Sequence, residues 1–69
     1  MNSGEPITLR QLEFAMRRNI AWMRIYPPHG QKQMDLMSRD AIRDAVLAYG
    51  DCTVREAMPG MGYVMVWLD

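Results

Sequence analysis

A single cysteine, Cys52, and a single histidine, His29, stand in this chain of 69 residues. One thiol cannot form an internal disulfide, and one of each cannot assemble a Cys/His zinc cluster. A lone cysteine also fits a reducing compartment better than an oxidising one. The longest apolar run, Tyr63 to Leu68, is far short of a membrane span. The start, MNSGEPIT, has no basic patch leading into an apolar stretch and does not read as a signal peptide. These absences point to a soluble, cytoplasmic protein with no membrane association.

Chemistry-bearing motifs are missing as well. Pro59-Gly60-Met61-Gly62 has two glycines but no lysine and no helix pattern after it, so it is a turn and not a phosphate loop. Asp40 and Asp44 lie one helical turn apart, but Arg39 and Arg43 interleave with them, as on a solvated face. His29 sits in a Pro-Pro-His-Gly loop with no nucleophile near it in sequence. Cys52 lies at a strand start with the acidic Asp51 before it, a neighbour that does not activate a thiol, so it reads as a small core residue and not as a nucleophile. No set of nucleophile, base and charge stabiliser can be assembled, so the chain is expected not to be an enzyme and to need no metal or cofactor.

Formal net charge is zero, with eight basic and eight acidic residues. The signs are unevenly spread. Residues 1–34 hold Arg10, Arg17, Arg18, Arg24 and Lys32 against Glu5 and Glu13; residues 35–69 hold three arginines against Asp35, Asp40, Asp44, Asp51, Glu56 and Asp69. The basic first half would steer the protein toward acidic partners. Hydrophobic content of 49% argues against disorder, and eight methionines suit an adaptable contact surface.

A chain of this length is one domain, 1–69, with residues 1–7 as a loose lead. A domain this small buries only about 60% of the surface its unfolded chain exposes, so it leans on tight packing or on a partner. Thr8 with Gln11 forms a capping box, flanked by an Ile7–Leu12 staple. The helix they start should run to about Arg18, burying Leu9, Leu12, Ala15 and Met16, with Glu13 and Arg17 as an ordinary i, i+4 ion pair. Ile20–Tyr26 and Gln31–Leu36 alternate as strands around a loop at 27–30. Ser38 caps a second helix from Arg39 to Tyr49, stapled by Met37 and Ile42, with Gly50 at C′. Residues 51–69 form a second hairpin about Pro59-Gly60, with Cys52 opposite Leu68 and Val54 opposite Val66. The expected fold is α+β in the order α-β-β-α-β-β: a four-stranded, mostly antiparallel sheet with both helices on one face. The alternative places one helix on each face.

This register sorts the side chains. Ala21, Met23, Ile25, Met34 and Leu36 share a face with Cys52, Val54, Val64, Val66 and Leu68. Trp22, Arg24 and Tyr26 share the other face with Thr53, Arg55, Ala57, Tyr63, Met65 and Trp67. Trp22, Arg24, Tyr26, Arg55, Tyr63, Met65 and Trp67 are therefore the candidate partner-binding residues. A weaker second candidate is the row Arg10, Phe14 and Arg18, which places an aromatic ring between two cations on the polar side of the first helix. An aromatic sheet face with arginines suits a protein interface, where Trp, Tyr, Met and Arg are enriched. It also suits stacking of single-stranded nucleic-acid bases, although zero net charge disfavours that reading. The expectation is a small non-catalytic inhibitor, adaptor or regulator of a larger protein machine, binding a protein partner or itself. Small accessory proteins of phages and mobile elements share this size profile.

Overall fold

The computed structural model describes residues 6–69, and its elements follow the expected order. They are α1 (Leu9–Met16), β1 (Trp22–Tyr26), β2 (Met34–Leu36), α2 (Arg39–Tyr49), β3 (Val54–Pro59) and β4 (Tyr63–Leu68). The strands form one sheet in the order β2-β1-β4-β3. Each hairpin is antiparallel, and the two hairpins join through a parallel pairing of β1 with β4 at the centre.

The cap of α1 forms as its sequence dictates. Gln11 N donates to Thr8 Oγ1 at 3.2 Å, and Thr8 N donates to Gln11 Oε1 at 2.9 Å. Two further N–H groups of the first turn find acceptors across the fold: Leu9 N donates to Cys52 O and Arg10 N to Gly50 O, each at 3.0 Å. The positive end of α1 thus meets carbonyls at the negative end of α2, and Arg10 ion-pairs with Asp51 beside them. Gly50 is not the left-handed C′ residue expected. It is a right-handed C-cap with φ −58°, and a Cβ there would come within 2.7 Å of the Arg10 guanidinium. Its missing side chain permits this close approach.

Several sequence-based boundaries shift. Of the loose lead expected over residues 1–7, the first five lie outside the described residues, and Ile7 is tied down through a bond from Val54 N to its carbonyl at 2.8 Å. Helix α1 stops at Met16, not Arg18, and Asn19 N closes a turn onto Met16 O at 2.8 Å. Its buried side includes Glu13, while Ala15 is exposed. At 100° per residue Glu13 lies only about 40° round from Leu9 and Ala15 about 120° away, so the stripe centres on Leu9, Leu12, Glu13 and Met16. Met37 is 65% exposed, leaving Ser38, whose Oγ accepts from Ala41 N at 3.1 Å, as the cap of α2.

Both hairpins differ in register from expectation. In the first, Met23 pairs with Leu36, Arg24 with Asp35 and Ile25 with Met34, two residues along from the expected partners. The loop therefore spans 27–33 and passes through left-handed backbone at His29 and Gly30. A four-residue loop at 27–30 would set Tyr26 opposite Gln31 and hence Ile25 opposite Lys32; the observed pairing puts Met34 opposite Ile25 instead. Because the shift is an even number of residues, each side chain of β1 and β2 keeps its face. Ala21 precedes the strand and is exposed. In the second hairpin Val54 pairs with Leu68 and a β-bulge follows, after which Glu56 pairs with Trp67, Ala57 with Val66 and Met58 with Met65. The extra residue moves Ala57 off the aromatic face onto the core side, where it packs against the buried cluster.

The core lies between the helices and one sheet face. Met23, Ile25, Val64 and Val66 have no solvent exposure and cluster with Leu9 of α1 and with Ile42 and Ala45 of α2. Both helices therefore occupy the same face, and the alternative of one helix on each face is excluded. No helix among the described residues is long and apolar enough to cross a membrane.

Candidate interaction surface

The sheet face away from the helices is organised by the central parallel pair. Parallel register sets Trp22 beside Tyr63, Arg24 beside Met65 and Tyr26 beside Trp67. Neighbouring strands are about 4.8 Å apart, a good spacing for flat rings to stack across the ladder. They do so twice. Trp22 and Tyr63 stack at 4.6 Å between ring centroids and 12° between planes, and Tyr26 and Trp67 at 4.7 Å and 6°. Such pairs contribute about 0.5–1.5 kcal/mol each beyond their buried area.

Between the two stacks runs a mixed row of Asp35, Arg24, Met65 and Met58, one from each strand. Arg24 Nε donates to Asp35 Oδ1 at 2.6 Å, and its guanidinium carbon lies 6.0 Å from the Trp22 ring centroid. The hydrogen bond to Asp35 is the chief cause that holds the Arg24 guanidinium above its ordinary pKa. All six residues expected on this face from β1 and β4 are half-buried, through mutual contact and without a covering element among those described. At one end Tyr63 lies across Gly60, where a Cβ would come within 2.2 Å of the ring.

Arg55 stands apart from the other candidates. It is the extra residue at the bulge, exposed, with its Nε 3.7 Å from Asp69 Oδ1. With Tyr26, His29 and Asp69 it lines a shallow hollow at the end of the sheet. Glu56 and Met58 replace it on the aromatic face, a change that follows from the bulge. No residue in the sequence marks where that bulge falls.

Of the second candidate row, Phe14 and Arg18 line one hollow while Arg10 turns to another partner. Arg10 is engaged by Asp51, Phe14 is 72% exposed, and Arg18 is exposed. The cation over the Phe14 ring is Arg17, at 5.3 Å from the centroid. Cys52 is half-buried against the core, and His29 is exposed. Asp40 is paired with Arg43 at 2.6 Å. No group of three or more His, Cys, Asp or Glu side chains among the described residues is placed to hold a metal ion.

One charged cluster was not anticipated. Glu13 is 5% exposed, and Arg17 grips both its oxygens, with Nε to Oε2 at 3.0 Å and Nη2 to Oε1 at 2.9 Å. Arg39 reaches the same carboxylate from α2 at 3.8 Å and donates to the carbonyls of Arg17 and Ile20, the latter at 3.2 Å. The Arg17 hydrogen bonds outweigh burial and hold Glu13 below the usual carboxylate range. The same hydrogen bonding raises Arg17. The sequence signal was present, since Glu13 follows Leu9 by four residues, but an acidic residue in that position reads as surface.

The charge asymmetry of the sequence is partly offset by folding. Arg10 with Asp51 and Arg24 with Asp35 each join a cation of the basic half to a carboxylate of the acidic half. Of the eight basic residues, only Arg18 and Lys32 have no ion pair among the described residues. No family model, curated protein or solved structure matches the chain.

Proposed function

We propose that this is a small, non-catalytic interaction module of a reducing, cytoplasmic setting that binds a protein partner through its aromatic sheet face. The observation that carries this reading is the pair of stacked aromatic ladders on a face that no described element covers. Tryptophan, tyrosine and methionine supply large contact area at low entropic cost, as in the centres of protein interfaces. Contiguous apolar patches on monomers are usually functional.

Charge favours protein over single-stranded nucleic acid. The face carries Arg24 against Asp35 and Glu56, so it offers no surplus of cations to a phosphate chain. A partner surface with an apolar centre and a neutral or weakly basic rim would complement it.

The two tryptophans of the chain, Trp22 and Trp67, both lie on this face, so intrinsic fluorescence reports on it directly. Affinity capture from the host lysate should recover a protein that shifts this emission when purified and that the Trp22→Ser/Trp67→Ser variant, still folded by circular dichroism, no longer retains. Light scattering across concentration tests whether that protein is a second copy of the chain. Retention of the same protein by the double variant, or salt-sensitive tight binding of single-stranded DNA to the face, would refute the reading.

A further inference from the structure

The groove between α1 and α2, on the side of the molecule away from the aromatic face, has a floor and rim of a different chemistry. It encloses about 270 Å³, and its lining includes Glu13, Asp40, the three arginines Arg17, Arg39 and Arg43, and Leu47. The three arginines face two carboxylates, Glu13 and Asp40, so the lining is left with a surplus of one positive charge, carried by Arg17 and Arg39 around Glu13. Both arginines are fixed: Arg17 by its two-point grip on the buried carboxylate, Arg39 by carbonyls of the segment following α1. Each still exposes about half of its side chain, 54% for Arg17 and 51% for Arg39. A guanidinium has five N–H donors, and these contacts use only some of them. What remains is preorganised for a planar carboxylate, so little ordering entropy is lost on binding.

The wall beside these cations is apolar. Leu47 is 74% exposed and projects from α2 next to Val46, so it offers apolar area directly beside the cations. Arg43, paired with Asp40 at 2.6 Å, completes the rim from the next turn, where a stronger acidic partner competes with that exposed pair.

We propose that this groove is a docking site for an acidic amphipathic helix of a partner, whose Glu or Asp carboxylates meet Arg17, Arg39 and Arg43 while an apolar side chain covers Leu47 and Val46. The charge surplus and the adjacent apolar wall together specify this occupant. An ion alone would leave Leu47 uncovered, and an apolar helix alone would leave the guanidinium donors unused. The site would make the protein two-sided, with one surface on the sheet and one on the helices.

The test uses a fluorescein-labelled synthetic helix carrying leucine and glutamate at i, i+4 spacing, and its counterpart with every glutamate replaced by lysine. Fluorescence anisotropy should show saturable binding of the acidic helix only, weakened by salt. Arg43→Glu and Leu47→Asp change exposed positions outside the core and should each weaken binding about tenfold or more. The Trp22→Ser/Trp67→Ser variant should bind unchanged, which separates this site from the sheet face. Equal binding of both peptides, no binding of the acidic peptide at millimolar concentration, insensitivity to Arg43→Glu, or equal binding of oligothymidylate would overturn the proposal.

Discussion

Arg39, the first residue of α2, reaches back to the end of α1 and donates from Nη2 to the carbonyl of Ile20 at 3.2 Å while its Nη1 lies 3.8 Å from Glu13 Oε2. One side chain thereby ties the start of the second helix to the exit of the first. Arg43 is one turn further along, exposed, and paired only with exposed Asp40. Arg39→Ala should cost about 1–3 kcal/mol of folding stability, because buried carbonyl and carboxylate groups lose a donor. Arg43→Ala should stay within about 0.5 kcal/mol. Urea denaturation of the two variants side by side measures the difference.

Glu13 has a folded pKa below its ordinary value of 4.5, chiefly through the Arg17 hydrogen bonds. Its contribution to stability is therefore complete above that value and is lost as pH falls through the folded pKa. Glu13→Gln lacks this titration. Between about pH 6 and about pH 3 the wild type should lose more stability than Glu13→Gln, read from thermal midpoints at several pH values. Equal losses would show that Glu13 is not the coupled group.

Gly60 admits the Tyr63 ring where a Cβ would come within 2.2 Å of it. Gly60→Ala should cost about 1–3 kcal/mol by displacing the ring from its stack with Trp22. In a Tyr63→Leu background the same change should cost much less. A double-mutant cycle gives the coupling, and additive effects would mean that ring and glycine are independent.

The bulge after Val54 makes neighbouring residues of β3 behave oppositely. Ala57→Asp brings a charge against the core and should destabilise by about 2 kcal/mol or more. Glu56→Ala, on the open face, should stay within about 0.5 kcal/mol. A hairpin without the bulge would reverse the order of these two costs.

Local signals recovered most of the architecture. The capping box at Thr8, the Ser38 cap and the alternation in Trp22–Tyr26 and Tyr63–Leu68 all depend on contacts close in sequence, and the elements they imply are present. The sorting of Trp22, Tyr26, Tyr63 and Trp67 onto one face survived the two-residue shift in the first hairpin because the period of a strand is two. The features that escaped depend on distant partners. Arg39 reaches the buried Glu13 carboxylate from the other helix, and Gly50 leaves room for the Arg10 guanidinium arriving from α1 as well as for the Val46 carbonyl. The bulge at Arg55 is a property of pairing with β4, and nothing within β3 announces it. The exposed face was legible as a set of residues, but its stacking followed only from the parallel register of β1 with β4.

That parallel seam places the last strand in chain order at the middle of the sheet. Trp22 meets Tyr63, and Tyr26 meets Trp67, only after β1 and β4 come together from positions far apart in sequence. Non-local pairing of this kind is slow, and until it forms Met23 and Ile25 lack the Val64 and Val66 wall while Trp22 and Tyr26 lack their ring partners. The uncovered aromatic face is thus completed by a long-range step of folding and not by either hairpin alone.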